Sequence, residues 1–210
     1  FPICFSKLPS KNSVFSYLDN HHGFQDEKGE KYGVYDLINE DYYAMLDVPK
    51  EMLHRKKNQI QRDVVESHVT YYQKDKIKAA IEAIRYPIYH LDFETFPCPL
   101  PRFSGEKPYS QSLFQFSIHV ERTPGVCDKE KDHYGYIATT HEDLREALIQ
   151  KMLEVIPEDG GTILVYNQSF EQTRLKEMAE LYPQHRLRLL DMIERLFDLM
   201  YVVRGNTKLF

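Results

Sequence analysis

The stretch that most constrains this chain is Tyr86-Pro87-Ile88-Tyr89-His90-Leu91-Asp92-Phe93-Glu94-Thr95-Phe96. It is a β-branched and aromatic run that closes on two carboxylates, Asp92 and Glu94, two positions apart. On a strand, residues two apart point to the same face. Both carboxylates therefore project together from the end of a strand whose other neighbours are apolar. Like charges at a largely buried edge repel, and a cation between them relieves the cost. The pattern points to a divalent metal site, against the plainer reading of a strand end with two solvated acids.

A second element strengthens the first. Gly160-Gly161-Thr162-Ile163-Leu164-Val165-Tyr166 reads as a turn and a buried strand, running into Asn167-Gln168-Ser169-Phe170-Glu171 and a helical pattern with Leu175. Asn167 or Ser169 can cap that helix, and Glu171 falls in its first turn, where negative charge suits the helix dipole. Alone, Glu171 is an ordinary first-turn acid. With Asp92 and Glu94 it becomes a third carboxylate at the C-terminal end of a neighbouring strand.

Asp92-Phe93-Glu94-Thr95 on a first strand, then Asn167, Phe170, Glu171 and Leu175 at a strand-to-helix junction, resembles the first two motifs of the DEDD exonucleases. These are RNase H-like 3′→5′ exonucleases that use two metal ions, and the resemblance covers roughly residues 86–200. The family usually carries Asp where this chain has Glu171, which moves the carboxylate by one methylene. A closer likeness is to a bacterial family of unknown function that joins a RecB-like nuclease domain to a DEDD-like domain. It is carried by Ser13-Val14-Phe15, Tyr86-Pro87, Leu91 to Thr95, Phe114-Gln115-Phe116-Ser117-Ile118-His119, Tyr166-Asn167, Phe170-Glu171 and Asp198-Leu199.

The expected fold is α/β, an RNase H-like βββαβα mixed sheet preceded by a helical N-terminal region. The first region spans 1–85 and the RNase H-like domain 86–210. In the first, Ser13 can cap a short helix, 36–46 suits another, and Pro49 suits the start of a longer one to about residue 70. The charged run 26–31 reads as a solvated loop, and Arg55, Lys56, Lys57 and Arg62 as a solvated helix face with phosphate contact as the minority reading. A helix over 76–85 leads into the domain. There, strands are expected at 88–94, 113–120, 133–138 and 162–166, and helices at 140–156, 169–181 and from 184 onward. Thr140 and Asp143 read as a capping-box variant. A right-handed crossover sets the fourth of these strands beside the first, which brings Asp92, Glu94 and Glu171 to one end of the sheet.

Phosphodiester hydrolysis needs an activated water, a stabilised pentavalent phosphorus and a neutralised leaving oxygen. Two divalent ions roughly 3.5–4 Å apart supply all three. Asp92 is the candidate to bridge both, Glu94 to bind the ion that activates water, and Glu171 to bind or orient the second. Oxygen donors favour Mg²⁺ or Mn²⁺ over zinc. Asp198 is a minority candidate ligand. The resemblance implies that Thr95 and Phe96 hold the terminal nucleotide, with Asn167 a lesser substrate contact; the alternative for Thr95 and Phe96 is a strand end and a core aromatic. Gln115, Ser117 and His119 share one strand face and can support the ligands or simply satisfy the sheet.

The DEDD pattern ends in a further Asp preceded by Tyr or His, and nothing after Asp198 fits it. That motif is expected downstream, with the chain a piece of a longer protein. Three scattered cysteines, Cys4, Cys98 and Cys127, argue for reduced thiols and a cytoplasmic location. Cys4 alone cannot close a metal or iron–sulfur site, so any partners it has would lie upstream. No apolar run spans a bilayer. The net charge of −5 does not advertise a nucleic-acid binder, although bound cations neutralise an acidic nuclease centre. Two functions follow: a metal-dependent exonuclease acting on single-stranded ends of DNA or RNA, working with an upstream RecB-like domain, or a catalytically degenerate scaffold that binds nucleic acid or a protein.

Overall fold

The structure, a computed structural model, describes residues 6–18 and 23–203. Cys4 lies outside the described residues. Contacts divide the chain into two compact units, one ending at Tyr72 and the other beginning at Gln73. The division falls upstream of the expected boundary at 85, so the helix that leads into the domain counts with the second unit.

The first unit is not all-helical as expected. Phe24–Gln25 (β1) and Lys31–Tyr32 (β2) pair antiparallel. Asp26 closes the turn between them, its Oδ1 accepting the Lys28 and Glu30 amides at 2.9 and 2.8 Å. An Asp that binds the backbone just downstream makes a turn, so the charged run is a hairpin. Helix α1 covers only Val34–Asn39, followed by Asp41 at a positive φ of 62°. The long helix expected from Pro49 is broken into a 3-10 turn, Lys50–Met52, and α2, Lys56–Ser67. Two interactions favour the break. Met52 and Leu53 are buried in the core with Val14, Phe24, Leu37, Met45 and Val48. Arg62 also reaches back to the Met45 and Val48 carbonyls at 2.9 and 2.7 Å. One member of the basic cluster therefore holds backbone. Ser13 makes no side-chain cap, and only the 3-10 turn Val14–Ser16 follows it.

The second unit opens with α3 (Lys74–Glu82) and then builds β3 (Ile88–Pro97), β4 (Gln111–Glu121), β5 (His133–Ile137), α4 (Arg145–Val155), β6 (Thr162–Val165) and α5 (Gln168–Leu181). A 3-10 turn, Pro183–His185, leads to α6 (Arg186–Glu194), β7 (Leu196–Asp198) and α7 (Leu199–Val203). This is the expected mixed α/β class in the expected βββαβα order. The five strands lie in the order β5-β4-β3-β6-β7. β3, β4 and β5 pair antiparallel, and β6 and β7 add parallel on the other side of β3.

Alternation on β3 explains its place at the centre. Tyr89, Leu91 and Phe93 are buried, whereas Asp92 and Glu94 are exposed. The buried row shares one core with Ile118 of β4, Leu148 and Met152 of α4, Leu175 of α5 and Leu189 of α6. Each such side chain contributes about 1.5–3 kcal/mol on burial. Helix α4 starts later than the capping-box reading: Asp143 accepts the Arg145 amide at 3.2 Å and also binds its guanidinium at 2.6 and 2.8 Å. The larger correction is β7. The apolar spacing through Leu196 and Phe197 continues a helix, but Arg195 ends it. Its guanidinium donates to the Gly161 and Pro157 carbonyls at 3.0 and 2.9 Å, and the next three residues satisfy the free edge of β6.

Candidate functional site

The C-terminal ends of β3, β6 and β7 lie at one edge of the sheet, because the three strands run parallel. Asp92 and Glu94 leave β3 on the same exposed face, opposite Ser117 and Gln115 of β4. The same face carries His119 beside His90, so the polar residues of β4 do line this surface. A groove of about 430 Å³ runs over it, lined by His90, Asp92, Ser117, His119 and Tyr166. His90 is spoken for by Glu121 at 3.0 Å. Between Glu94 and Thr95 the register shifts, leaving Phe114 of β4 unpaired. Such a bulge bends a strand and re-aims the side chains beyond it, here just past the carboxylates.

Asn167, at φ 78°, turns the chain from β6 into α5. This left-handed conformation is one that Asn tolerates better than most residues. Neither Asn167 nor Ser169 caps the helix with its side chain; the Ser169 hydroxyl donates to Asn167 Oδ1 at 2.8 Å. The cap comes from Asp198 instead. Its Oδ1 accepts the Asn167 and Met200 amides at 3.0 and 2.9 Å, and its Oδ2 accepts the Gln168 amide at 2.9 Å. Asp198 is buried, and its oxygens are engaged by backbone. It holds the site together where the sequence suggested a minor metal ligand.

Glu171 is 3% exposed, turned inward one helical turn before the core residue Leu175. Its Oε2 is buried without a hydrogen-bond partner. Burial, helped by the nearby charges of Asp92 and Asp198, pushes its carboxyl up to about 7 against the pull of its own backbone N–H. The structure thus brings Asp92 and Asp198 each within electrostatic range of Glu171. Of the expected trio, Asp92 and Glu94 are exposed and Glu171 is buried. Among the described residues no group of three His, Cys, Asp or Glu side chains is close enough to hold a metal ion. The donor chemistry, carboxylate oxygens including one buried and unpartnered, fits a hard divalent cation.

The remaining candidates have identifiable partners. Thr95 donates to Gln111 Oε1 at 2.7 Å. Phe96 is 51% exposed rather than a core aromatic, and the Arg102 guanidinium lies 4.8 Å from its ring centre. Two features escaped the sequence reading. The Asp198 cap gives no local signal, since donor and acceptor lie about thirty residues apart. Arg102 sits in the Pro-rich loop after β3, where nothing in the spacing marks it.

No described helix is long and apolar enough to cross a membrane. No solved structure matches the chain significantly. An uncharacterized protein of Ureaplasma parvum serovar 3, UU173, is 24% identical over 209 residues, covering 91% of this chain and 30% of the relative. The chain therefore spans about a third of that relative's length. A family model matches residues 89–209, from the central strand through the C-terminal helix, and the chain belongs to that family, described as Domain of unknown function (DUF2779).

Proposed function

We propose that the second unit is the core of a metal-dependent nuclease of the RNase H-like, DEDD type, removing nucleotides from the 3′ end of single-stranded DNA or RNA. The observation that carries the reading is Glu171: a buried carboxylate, one oxygen unpartnered, pushed up to about 7 beside Asp92 and Asp198. A carboxylate in that condition is relieved by a proton or by a cation. The strand order, with Asp92 on the central strand and Glu171 on the helix after the adjacent parallel strand, supports the same reading.

Asp92, Glu94 and Glu171 would hold Mg²⁺ or Mn²⁺, which supplies Lewis-acid activation of water and charge neutralisation at the phosphate. Asp198 holds the turn at Asn167 and Gln168, and so sets where Glu171 stands. The exposed placement of Asp92 and Glu94 leaves them accessible to a phosphodiester in the groove. The length of the Ureaplasma relative, of which the chain covers 30%, leaves room for the RecB-like nuclease domain of the resemblance.

A second reading, a scaffold that binds nucleic acid or protein without cleaving, is favoured by one observation. The described residues alone do not converge three ligands. The test is end-labelled single-stranded DNA and RNA incubated with Mg²⁺ or Mn²⁺ and the whole protein, of the relative's length. Stepwise loss of nucleotides from the 3′ end, abolished by Asp92→Ala, is expected. Intact substrate with both ions and both nucleic acids would favour the scaffold.

A further inference from the structure

A row of three histidines crosses the antiparallel half of the sheet. His90 of β3 stands opposite His119 of β4, and His119 opposite His133 of β5, so the three share one face. The imidazoles of His119 and His133 lie against each other, with 4.5 Å between ring centres and 26° between planes. His133 Nε2 sits 3.0 Å from Ser117 Oγ, which orients the ring and leaves its Nδ1. Gly135, opposite Ser117, gives that ring room: a methyl group there would stand 3.5 Å from His133 Cε1. His119 has no hydrogen-bond partner for either ring nitrogen among the described residues. His90, by contrast, is taken by Glu121 at 3.0 Å.

We propose that His119 and His133 form a two-imidazole clip for a transition-metal ion such as Ni²⁺ or Zn²⁺, separate from the carboxylates of β3. Imidazole nitrogen suits these ions, whereas Mg²⁺ takes oxygen donors. A tetrahedral ion about 2.0–2.1 Å from each of two nitrogens holds them about 3.3 Å apart. Stacked rings with 4.5 Å between their centres reach that spacing by a small turn. A ligating histidine commonly engages a fixed partner through its other ring nitrogen, and Ser117 is placed to be that partner for His133. No third described His, Cys, Asp or Glu is close enough to join the pair, so water fills the remaining positions. Asp92 and Glu94, on the same exposed face, favour the approach of a cation. The clip stands independently of the nuclease reading, since neither imidazole is given a part in phosphodiester cleavage.

The test is isothermal titration calorimetry of the metal-stripped protein with Ni²⁺, carried out in excess Mg²⁺ so that oxygen-donor sites are already filled. One Ni²⁺ binds per chain, more tightly than Co²⁺ and much more tightly than Mn²⁺. His119→Ala and His133→Ala each weaken binding about tenfold or more, and thermal unfolding verifies that each variant is folded. A second readout needs no variant: in the wild type, paramagnetic Ni²⁺ broadens the imidazole proton resonances of His119 and His133 before those of the other histidines. Absence of Ni²⁺ binding in the presence of Mg²⁺, wild-type affinity in both alanine variants, or first broadening at other histidines overturns the clip. Binding of Mn²⁺ as tight as that of Ni²⁺ overturns its assignment to nitrogen donors.

Discussion

Asp198 Oδ1 accepts the backbone N–H of Asn167 at 3.0 Å, tying the end of β7 to the turn that launches α5. The first amides of a helix lack intrahelical acceptors. A local Ser, Thr or Asn side chain usually fills the gap, but here a buried carboxylate from another strand does so. Its negative charge at the helix N-terminus is favourable. The same charge stands close enough to Glu171 to oppose its ionisation. One residue therefore fixes the helix start and adds to the burial that raises the acid which that helix carries.

Replacing that cap should be costly. Asp198→Ala leaves the Asn167, Gln168 and Met200 amides without their acceptor. Loss of buried charge-assisted hydrogen bonds predicts destabilisation of about 2–4 kcal/mol, and Asp198→Asn, which keeps one acceptor oxygen, about half that. Urea unfolding of the variants measures it. A change under about 0.5 kcal/mol in the alanine variant would refute the cap's importance.

Glu171 gives a pH signature without added metal. Its folded-state carboxyl is pushed from 4.5 to about 7, so the folded protein holds this proton more tightly than the unfolded chain does. The associated cost is absent below about pH 4.5, grows between 4.5 and 7, and is complete above 7. Glu171→Gln removes it. The variant should gain about 2–3 kcal/mol over wild type at pH 8 and nothing at pH 4.5. Melting temperatures compared at the two pH values test this; a gain independent of pH would point to packing instead.

Much of this arrangement was legible because it was written locally. Alternation on β3 told which residues face the core and which face out, and the Gly160-Gly161 turn announced β6. Crossover handedness then placed β6 beside β3. The misreadings share a physical origin. Leu196 and Phe197 satisfy helical spacing, and only the unfilled edge of β6 and the grip of Arg195 on the Gly161 carbonyl make them a strand. Thr140 and Asp143 satisfy a capping pattern, yet α4 begins only at Arg145, whose amide and guanidinium both bind Asp143. In the first unit, Arg62 binding to distant carbonyls broke a helix that its own segment favoured. Of the three carboxylates expected to converge, Asp92 and Glu94 are exposed and Glu171 is buried with Leu175, within electrostatic range of Asp92.

The Gly160-Gly161 turn tests how closely β6 must approach β3. A methyl group on Gly161 would run into the Pro87 carbonyl and come within about 3.0 Å of the Tyr89 ring. Gly160 has open space around it but a φ of 76°. Gly161→Ala should therefore cost about 2–4 kcal/mol through a backbone clash, and Gly160→Ala about 1–2 kcal/mol through the left-handed conformation alone. Chemical denaturation ranks them, and equal costs would show that the turn relaxes around the added methyl.

The metal reading makes a prediction that needs no substrate. At pH 8 Glu171 is largely ionised in the folded protein, and Asp92 and Asp198 oppose that ionisation. A divalent ion bound only by the folded state stabilises it by mass action, about 1.4 kcal/mol at ten times the dissociation constant. For a chain of this size that is a rise of about 3–5 °C in melting temperature with saturating Mg²⁺ or Mn²⁺. Asp92→Asn removes a ligand together with part of the repulsion. Its metal-free melting temperature should equal or slightly exceed that of wild type, and its response to the ions should largely disappear. The response of wild type should also fade at pH 5, where Glu171 carries its proton and a cation must displace it. An undiminished metal response in Asp92→Asn would place the ion away from the β3 carboxylates, and no response in wild type at any pH would leave Glu171 relieved by a proton alone.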